Sequence, residues 1–566
     1  MTKALWSITR GNLRALIPLF VFCLFFAALM TSYAALAFGK GNEAYTISLL
    51  GFAMAYPSPI FIAAFIRLIQ HSIDARFDAF RSFMEIGGRR SRVTLWLLAE
   101  IVAIIVISMC IGLAVEPIMR VAVIKPMFAG SGAHIGTGYS IARTFLVSLA
   151  FLLLLGSISL LFAKRRLAAT VLLSGKLKPM NVWIVFVLGS VGLAFSIFLT
   201  LGPSFNWYQP PTTLVGFFAL PWCIAAPLLL FVLVWAIGKL SLRVFGWNSI
   251  SLAARNIRAR FPTGIAIALT LLMGYPSCVY MSQSAMVEGA RIELATHIKD
   301  ASLLVSSKGA LLSMDAATSY CSQLGASCTG MLEWGVSNQS VPGSVNPEPR
   351  DMRVMYPTTA TAFDDVFVDQ FESYNSSSKF VWNWLKPWAE VADHEPGRVT
   401  GVAMVISDMD AAPAGTKVIS SQALTHLLPE ELFYPYADNL GNRELPLLFF
   451  FFTVSGLGAI FAVTVVRQWP LLQLEESLRT IGTPHRMRYL TRIAVAIAPA
   501  LVAIGITFVI MLTISSVIIS SYSPGGKFSF IMAPMDSSAL VLIVLGLLSV
   551  LVPALLSKAI DGRQAG

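Results

Sequence analysis

The 566-residue chain is 56% hydrophobic and 13% charged, with a mean hydropathy of +0.72, whereas a soluble domain carries about 25% charged residues. That balance excludes an ordinary soluble enzyme and points to an integral, α-helical membrane protein. The formal charge of +11 invites a nucleic-acid reading, which its distribution along the chain removes.

Apolar runs of about 20 residues, the length a bilayer core demands, fall at 16–38, 46–66, 93–115, 144–163, 182–202, 213–238, 264–283, 445–466, 493–519 and 538–557. The sequence therefore predicts an α-helical polytopic membrane protein with ten transmembrane helices. The first run is long enough to span, so it is expected to be a transmembrane helix rather than a cleavable signal peptide. With a cytoplasmic N-terminus, the six inside segments hold 26 of the 41 Lys and Arg, and the short outside loops hold five (Lys40, Arg120, Lys125, Arg143 and Lys527). This is a positive-inside pattern with both termini cytoplasmic. The polar stretch 285–444 carries 20 of the 30 acids against 10 basic residues and is long enough for an extracytoplasmic domain. The positive charge is thus topological and requires no nucleic acid.

Taken in order, the chain opens on a basic amphipathic segment around Asn12 that serves either as an interfacial anchor or as a contact for a cytoplasmic partner. After the second run comes residues 80–100, in which Phe77, Phe80, Phe83, Met84 and Ile86 fall at helical spacing beside Arg76, Arg81 and Glu85. Gly87 and Gly88 end that helix, and Arg89, Arg90 and Arg92 follow as the third run begins. Glu100, about two turns into that run, is expected to pair with Arg89, Arg92 or Arg492, while Glu116, beside Pro117 and Arg120, reads as interfacial. The Gly-rich segment 130–138 around His134 follows no strand and reads as a flexible loop rather than a phosphate cradle.

The 285–444 stretch reads as α/β, with strands at Ser302–Ser306, Arg353–Pro357 and Val399–Ile406 and a helix at Ser313–Leu324. Cys23, Cys110, Cys223 and Cys278 lie in apolar runs as small hydrophobes, and Cys321 and Cys328 are the expected disulfide of an oxidising compartment. Trp382, Trp384, Trp388 and Phe380, interleaved with Lys379 and Lys386, form a binding surface, a membrane contact or core; Asp364, Asp365 and Asp369 read as a solvated face. No metal-ligand spacing, redox motif or catalytic constellation stands out.

Two segments recur. Ser7–Pro18 and Ser251–Pro262 share Ser, then Asn-[Leu/Ile]-Arg-Ala, then Pro, at an offset of 244, and Ile86-Gly87 returns as Ile481-Gly482 at an offset of 395. The offsets differ by 151, close to the length of the polar stretch. The chain therefore divides into a four-span unit (1–180), a two-span connector (181–240), the entry helix and seventh span of a second unit (241–284), an external domain (285–444), and spans eight to ten (445–566). In the second copy Leu474, Leu478 and Ile481 make the apolar stripe, Arg479 flanks it, Gly482 ends it, and Pro484 enforces the turn before His485 and Arg486. A short amphipathic helix lying in the membrane plane fits a groove on a soluble partner; the plainer alternative is a solvated loop with inside charges.

Phe83, Ile86, Gly87, Gly88, Arg90 and Val93, with Glu100 seven residues on, resemble the signature of FtsX-like/MacB-like ABC permeases. Met84 and Glu85 depart from the usual Arg and Ala. Leu478-Arg479-Thr480-Ile481-Gly482-Thr483 keeps the pattern more faithfully, but Val495 stands where the Glu is expected. The ten-span plan with a large domain between spans seven and eight is similar to the bacitracin-resistance (BceB-type) branch. The motif resemblance covers about 60 residues, and the architectural one the whole chain. It implies the permease subunit of an ABC system in a bacterial plasma membrane, with no catalytic or metal site of its own.

No G-x-x-x-x-G-K-[ST] occurs in the sequence, so ATP and Mg are expected on a separate cytoplasmic ABC ATPase, in two copies. By this resemblance the docking residues are Phe80, Arg81, Phe83, Met84, Glu85, Gly87, Gly88, Arg89 and Arg90 with Leu478, Arg479, Ile481, Gly482, Thr483, Pro484, His485 and Arg486. The resemblance further implies a system that acts on cell-envelope-active compounds such as peptide antibiotics or lipid-linked intermediates. Alternatively it is a regulator that drives a sensor histidine kinase or a cell-wall hydrolase without moving substrate. The scarcity of mid-membrane charge speaks against a secondary transporter.

Overall fold

A computed structural model describes residues 2–11, 13–37, 57–86, 88–127, 139–169, 182–201, 221–230, 263–297, 302–337, 352–357, 399–407, 412–420, 440–522, 530–535 and 537–561, together with 232, 236, 423 and 426. The helices are α1 (Thr2–Gly11), α2 (Ile17–Ala37), α3 (Ser58–Asp74), α4 (Phe77–Glu85), α5 (Arg90–Met119), α6 (Tyr139–Ala169), α7 (Val182–Leu201) and α8 (Thr263–His297). A five-stranded sheet with helix α9 (Met314–Leu324) follows, and then α10 (Leu440–Thr480), α11 (His485–Tyr522) and α12 (Ser537–Asp561).

Five of the helices are long and apolar enough to cross a membrane, over Ser91–Ala122, Gly264–Gly289, Phe450–Gln468, His485–Ser520 and Ser537–Leu556. Shorter apolar helical stretches cover Ile17–Ser32, Phe145–Ser159, Phe186–Phe198 and Pro221–Leu230. Their outward faces carry Leu146, Leu154, Val187, Val191, Leu501, Val541 and Val544 in the open. So much uncovered aliphatic surface is stable in lipid and not in water. The fold is that of a helical membrane protein.

Packing divides the bundle into two cores. In the first, α2 lies along α5, so closely at Gly112 that a Cβ there would overlap the Leu24 carbonyl, and Phe22, Phe26, Phe61 and Phe65 interlock with Leu97, Ile101 and Ile105. In the second, α8 lies along α11, joining Leu269, Leu272 and Met273 to Ala503, Ile510 and Ile514. The two cores trade residues across one seam: Phe451, Phe452 and Val466 of α10 join the first, and Ile60 of α3 joins the second.

The sheet comprises β1 (Ser302–Ser306), β2 (Cys328–Ser337), β3 (Met352–Pro357), β4 (Val399–Ile406) and β5 (Thr416–Ser420), in the antiparallel order β3-β2-β4-β1-β5. Helix α9, capped where Ser313 Oγ accepts from Ala316 N at 3.3 Å, lays Ala317 against Leu304, Leu312, Val402 and Met404. Three strands and the helix fall where the sequence places them; β2 and β5 are additional. Cys321 at the end of α9 is bonded to Cys328 at the start of β2, with a Cα–Cα distance of 5.3 Å. Helix α8 runs on to His297, beyond the apolar run that marks it, and α10 starts at Leu440, so long helices lead into and out of the part of the chain that holds the sheet. The loop around His134, Trp382, Trp384 and Trp388 with their lysines, the acids Asp364, Asp365 and Asp369, and the second entry segment 251–262 lie outside the described residues.

Candidate functional site: two matched helical hairpins

Each basic segment forms the tip of a hairpin, and at an offset of 395 the two tips agree bond by bond. Helix α4 ends at Glu85 and α10 at the equivalent Thr480; α5 starts at Arg90 and α11 at the equivalent His485. Gly88 N donates to Phe83 O at 3.1 Å, and Thr483 N donates to Leu478 O at 3.1 Å. Arg92 N and Val93 N donate to Arg89 O at 3.1 and 3.4 Å; Met487 N and Arg488 N donate to Pro484 O, both at 3.1 Å. These are the closures by which a helix stops at a tight turn and restarts. Gly482 has φ +80°, a left-handed conformation that glycine adopts without penalty. Gly88 is confined differently, since a Cβ there would stand 2.6 Å from the Phe83 carbonyl oxygen. Gly87 lies outside the described residues.

The side chains separate into two sets. Phe80 and Leu478 are buried, and Phe83 and Met84 are half-buried against the first core. Thus most of the apolar stripe of α4 is spent on the protein itself, not offered outward. What projects is Ile86, 85% exposed, and its equivalent Ile481, 78% exposed. Around Ile86 stand Arg81, paired with Glu85 at 2.9 Å, and exposed Arg89; around Ile481 stand exposed Arg479, Gly482, Pro484, His485 and Arg486, with Thr483 half-buried. Arg90 opens α5 at the tip of the first hairpin.

Below each tip, two rungs tie the descending helix to the ascending one. In the first hairpin Arg76 Nη1 binds both oxygens of Glu100 at 2.5 and 2.6 Å, and Arg76 Nε donates to Ser72 O at 2.7 Å. Its guanidinium lies 5.5 Å from the Phe80 ring centroid. Glu100 is therefore paired, as the sequence predicts, but with Arg76 rather than Arg89, Arg92 or Arg492. Arg492 instead pairs with Glu475 at 3.0 Å. Mapped by 395, Arg76 and Glu100 become Leu471 and Val495, both buried in one cluster. Glu475 and Arg492 map back to Phe80 and Leu97, both buried in the first core. Each hairpin thus has one ionic and one apolar rung, in opposite order. The departure of Val495 from the Glu position is one half of this exchange; the other half, Leu471, was legible by aligning the copies over a wider window.

The second tip differs from the first in what precedes it. Between α3 and α4 the chain breaks helical continuity at Ala75–Arg76, whereas α10 is one helix from Leu440 to Thr480. The second basic segment is therefore not a separate short helix but the end of a long one. The entry helix α1 keeps its inner face in the bundle: Leu5 and Thr9 are buried, and Trp96 Nε1 donates to Thr9 Oγ1 at 3.1 Å. Glu116 is buried and sits 3.5 Å from Arg120 on the next turn. No group of His, Cys, Asp or Glu among the described residues could hold a metal. No family model and no curated protein matches the chain.

Proposed function

We propose that the two hairpin tips are the docking sites for a separate cytoplasmic ABC-type ATPase, and that the chain is the permease subunit of such a system, resembling the MacB/BceB type. The observation that carries this is the pair of Ile side chains, Ile86 and Ile481, held 85% and 78% exposed at equivalent tips and ringed by Arg. An uncovered aliphatic side chain on a rigid turn is an anchor for a pocket, and a basic rim orients an acidic partner. Two equivalent tips on one chain suit a partner with two-fold symmetry.

In this reading the chain has ten spans, cytoplasmic termini and an extracytoplasmic domain. ATP-driven closure of the partner moves the hairpins, and α8 and α10 carry the motion to the sheet domain. The outcome is export, removal or sensing of an envelope-active compound such as a peptide antibiotic or a lipid-linked intermediate. The test is co-purification of the tagged chain in mild detergent. An ATPase should co-elute with the native chain and be lost from Ile86→Asp/Ile481→Asp and from charge reversal at Arg81, Arg89, Arg479 and Arg486. An intact chain that brings down no ATPase removes the proposal.

A further inference from the structure

A second feature lies away from the tips, a cavity on the seam where the two cores meet. It measures about 970 Å³ and is enclosed by α3, α8 and α10, at the upper end of the ~300–1,000 Å³ that small-molecule sites occupy. Its lining changes character along its length. On α3 the residues that face it recur every three or four positions, apolar at Ile60 and Ala64, then polar at Arg67, His71 and Asp74. On α10, which approaches its hairpin in the same sense, Ile460, Val463 and Val466 lead to Arg467, with Leu471 one turn nearer the tip. Helix α8 runs the other way and contributes Gly264 at the polar end, where a Cβ would meet nothing within 4 Å. The polar end is thus open on the hairpin side, and the apolar end lies farther from the tips, between the helices. His71 lies beyond the apolar run of its helix; burial and the neighbouring Arg67 guanidinium lower it to about 4, so near neutral pH it adds no charge to the mouth. The charges there are Arg67 and Arg467 against Asp74, a net of +1.

We propose that this cavity is a binding site for an anionic phospholipid from the leaflet on the hairpin side, its phosphodiester between Arg67 and Arg467 and its acyl chains entering past Ala64 and Ala268. A basic mouth between transmembrane helices at headgroup depth is the chemistry that selects such lipids, and a single phosphodiester with an uncharged headgroup balances the net charge. The site joins α3 of one core to α8 and α10 of the other, so its occupant contacts both. It holds whether or not any protein docks on the tips.

The probe is a mixed bilayer of phosphatidylglycerol and phosphatidylcholine in equal amounts, into which the full-length chain is reconstituted. The chain is then extracted and its retained lipid counted by native mass spectrometry. Phosphatidylglycerol should be enriched roughly tenfold over phosphatidylcholine, and Arg67→Gln/Arg467→Gln should erase the enrichment. Gly264→Leu, which fills the mouth and leaves both arginines, should lower retention of both lipids, and it carries the test if the arginine variant fails to fold. Equal retention of the two lipids by the native chain, an enrichment untouched in a folded Arg67→Gln/Arg467→Gln variant, or a total lipid retention untouched in a folded Gly264→Leu variant, overturns the proposal. So does a phosphatidylethanolamine bilayer giving the same retention as phosphatidylglycerol. ATPase capture by the same variants is a separate readout and should not change.

Discussion

Ile86 and Ile481 show how little a residue's type says about its task. Both follow apolar stripes at helical spacing, and in both copies the neighbours on the stripe, Phe80 and Leu478, turn inward. Because the two isoleucines are exposed, their replacement by Ala should leave stability within about 0.5 kcal/mol while weakening partner capture; thermal unfolding in detergent alongside co-purification separates the two. The glycine of the second tip behaves in the opposite way. Gly482→Ala forces a Cβ into the left-handed region at a cost of about 1–2 kcal/mol, and should lower the unfolding temperature without altering any exposed side chain.

At the scale of elements, the reversed rungs make a double-mutant prediction. Arg76→Leu alone leaves Glu100 buried without its partner and should destabilise by about 3–5 kcal/mol. Arg76→Leu/Glu100→Val rewrites the rung as the Leu471–Val495 pair of the other hairpin. It should recover most of that loss, since well-packed apolar pairs replace buried ion pairs at little or no cost. Denaturation of the two single variants and the double variant closes the cycle; a double variant no better than the worse single one rejects the equivalence. In the sheet domain, Cys321→Ser/Cys328→Ser opens a short loop and should cost roughly 2–3 kcal/mol, measured as loss of protease resistance in that domain.

What the sequence made legible at this scale follows from local pattern. β1 and β4 hold the unbroken apolar runs Leu303–Val305 and Val402–Ile406 and α9 begins at a Ser cap, so each is readable alone. β2 holds Gly330 and Gly335, and its pairing with β4 slips at both, which destroys the alternation that marks a strand. β5 is a short edge strand with Lys417 in it, protected and inconspicuous for the same reason. The hairpins were visible because they repeat, yet periodicity shows only that a face is apolar, not what it packs against. Glu100 finds Arg76 rather than Arg89, nearer in sequence, because Arg76 is buried just before α4 whereas Arg89 stands exposed at the tip.

For the whole molecule, the proposed orientation puts the tips and the sheet on opposite sides of the membrane. In a chain stripped of its own exposed cysteine, Cys110→Ala, a single new thiol at Arg486→Cys should be labelled by an impermeant maleimide only after the membrane is opened, and one at Lys417→Cys before it. The reverse order inverts the topology, and labelling of both from one side rejects it.

The unequal approach to the two tips has a mechanical consequence. α10 spans about 60 Å as one helix, and although Pro446 and Pro470 each remove a backbone N–H from it, a displacement at its hairpin reaches its far end less attenuated than across a broken helix. The first tip is joined to α3 across an interrupted helix, a compliant joint that absorbs part of the same displacement as local bending. Equal strokes from a symmetric motor would therefore be rectified by the chain into unequal motions, one half serving as the drive and the other as the bearing.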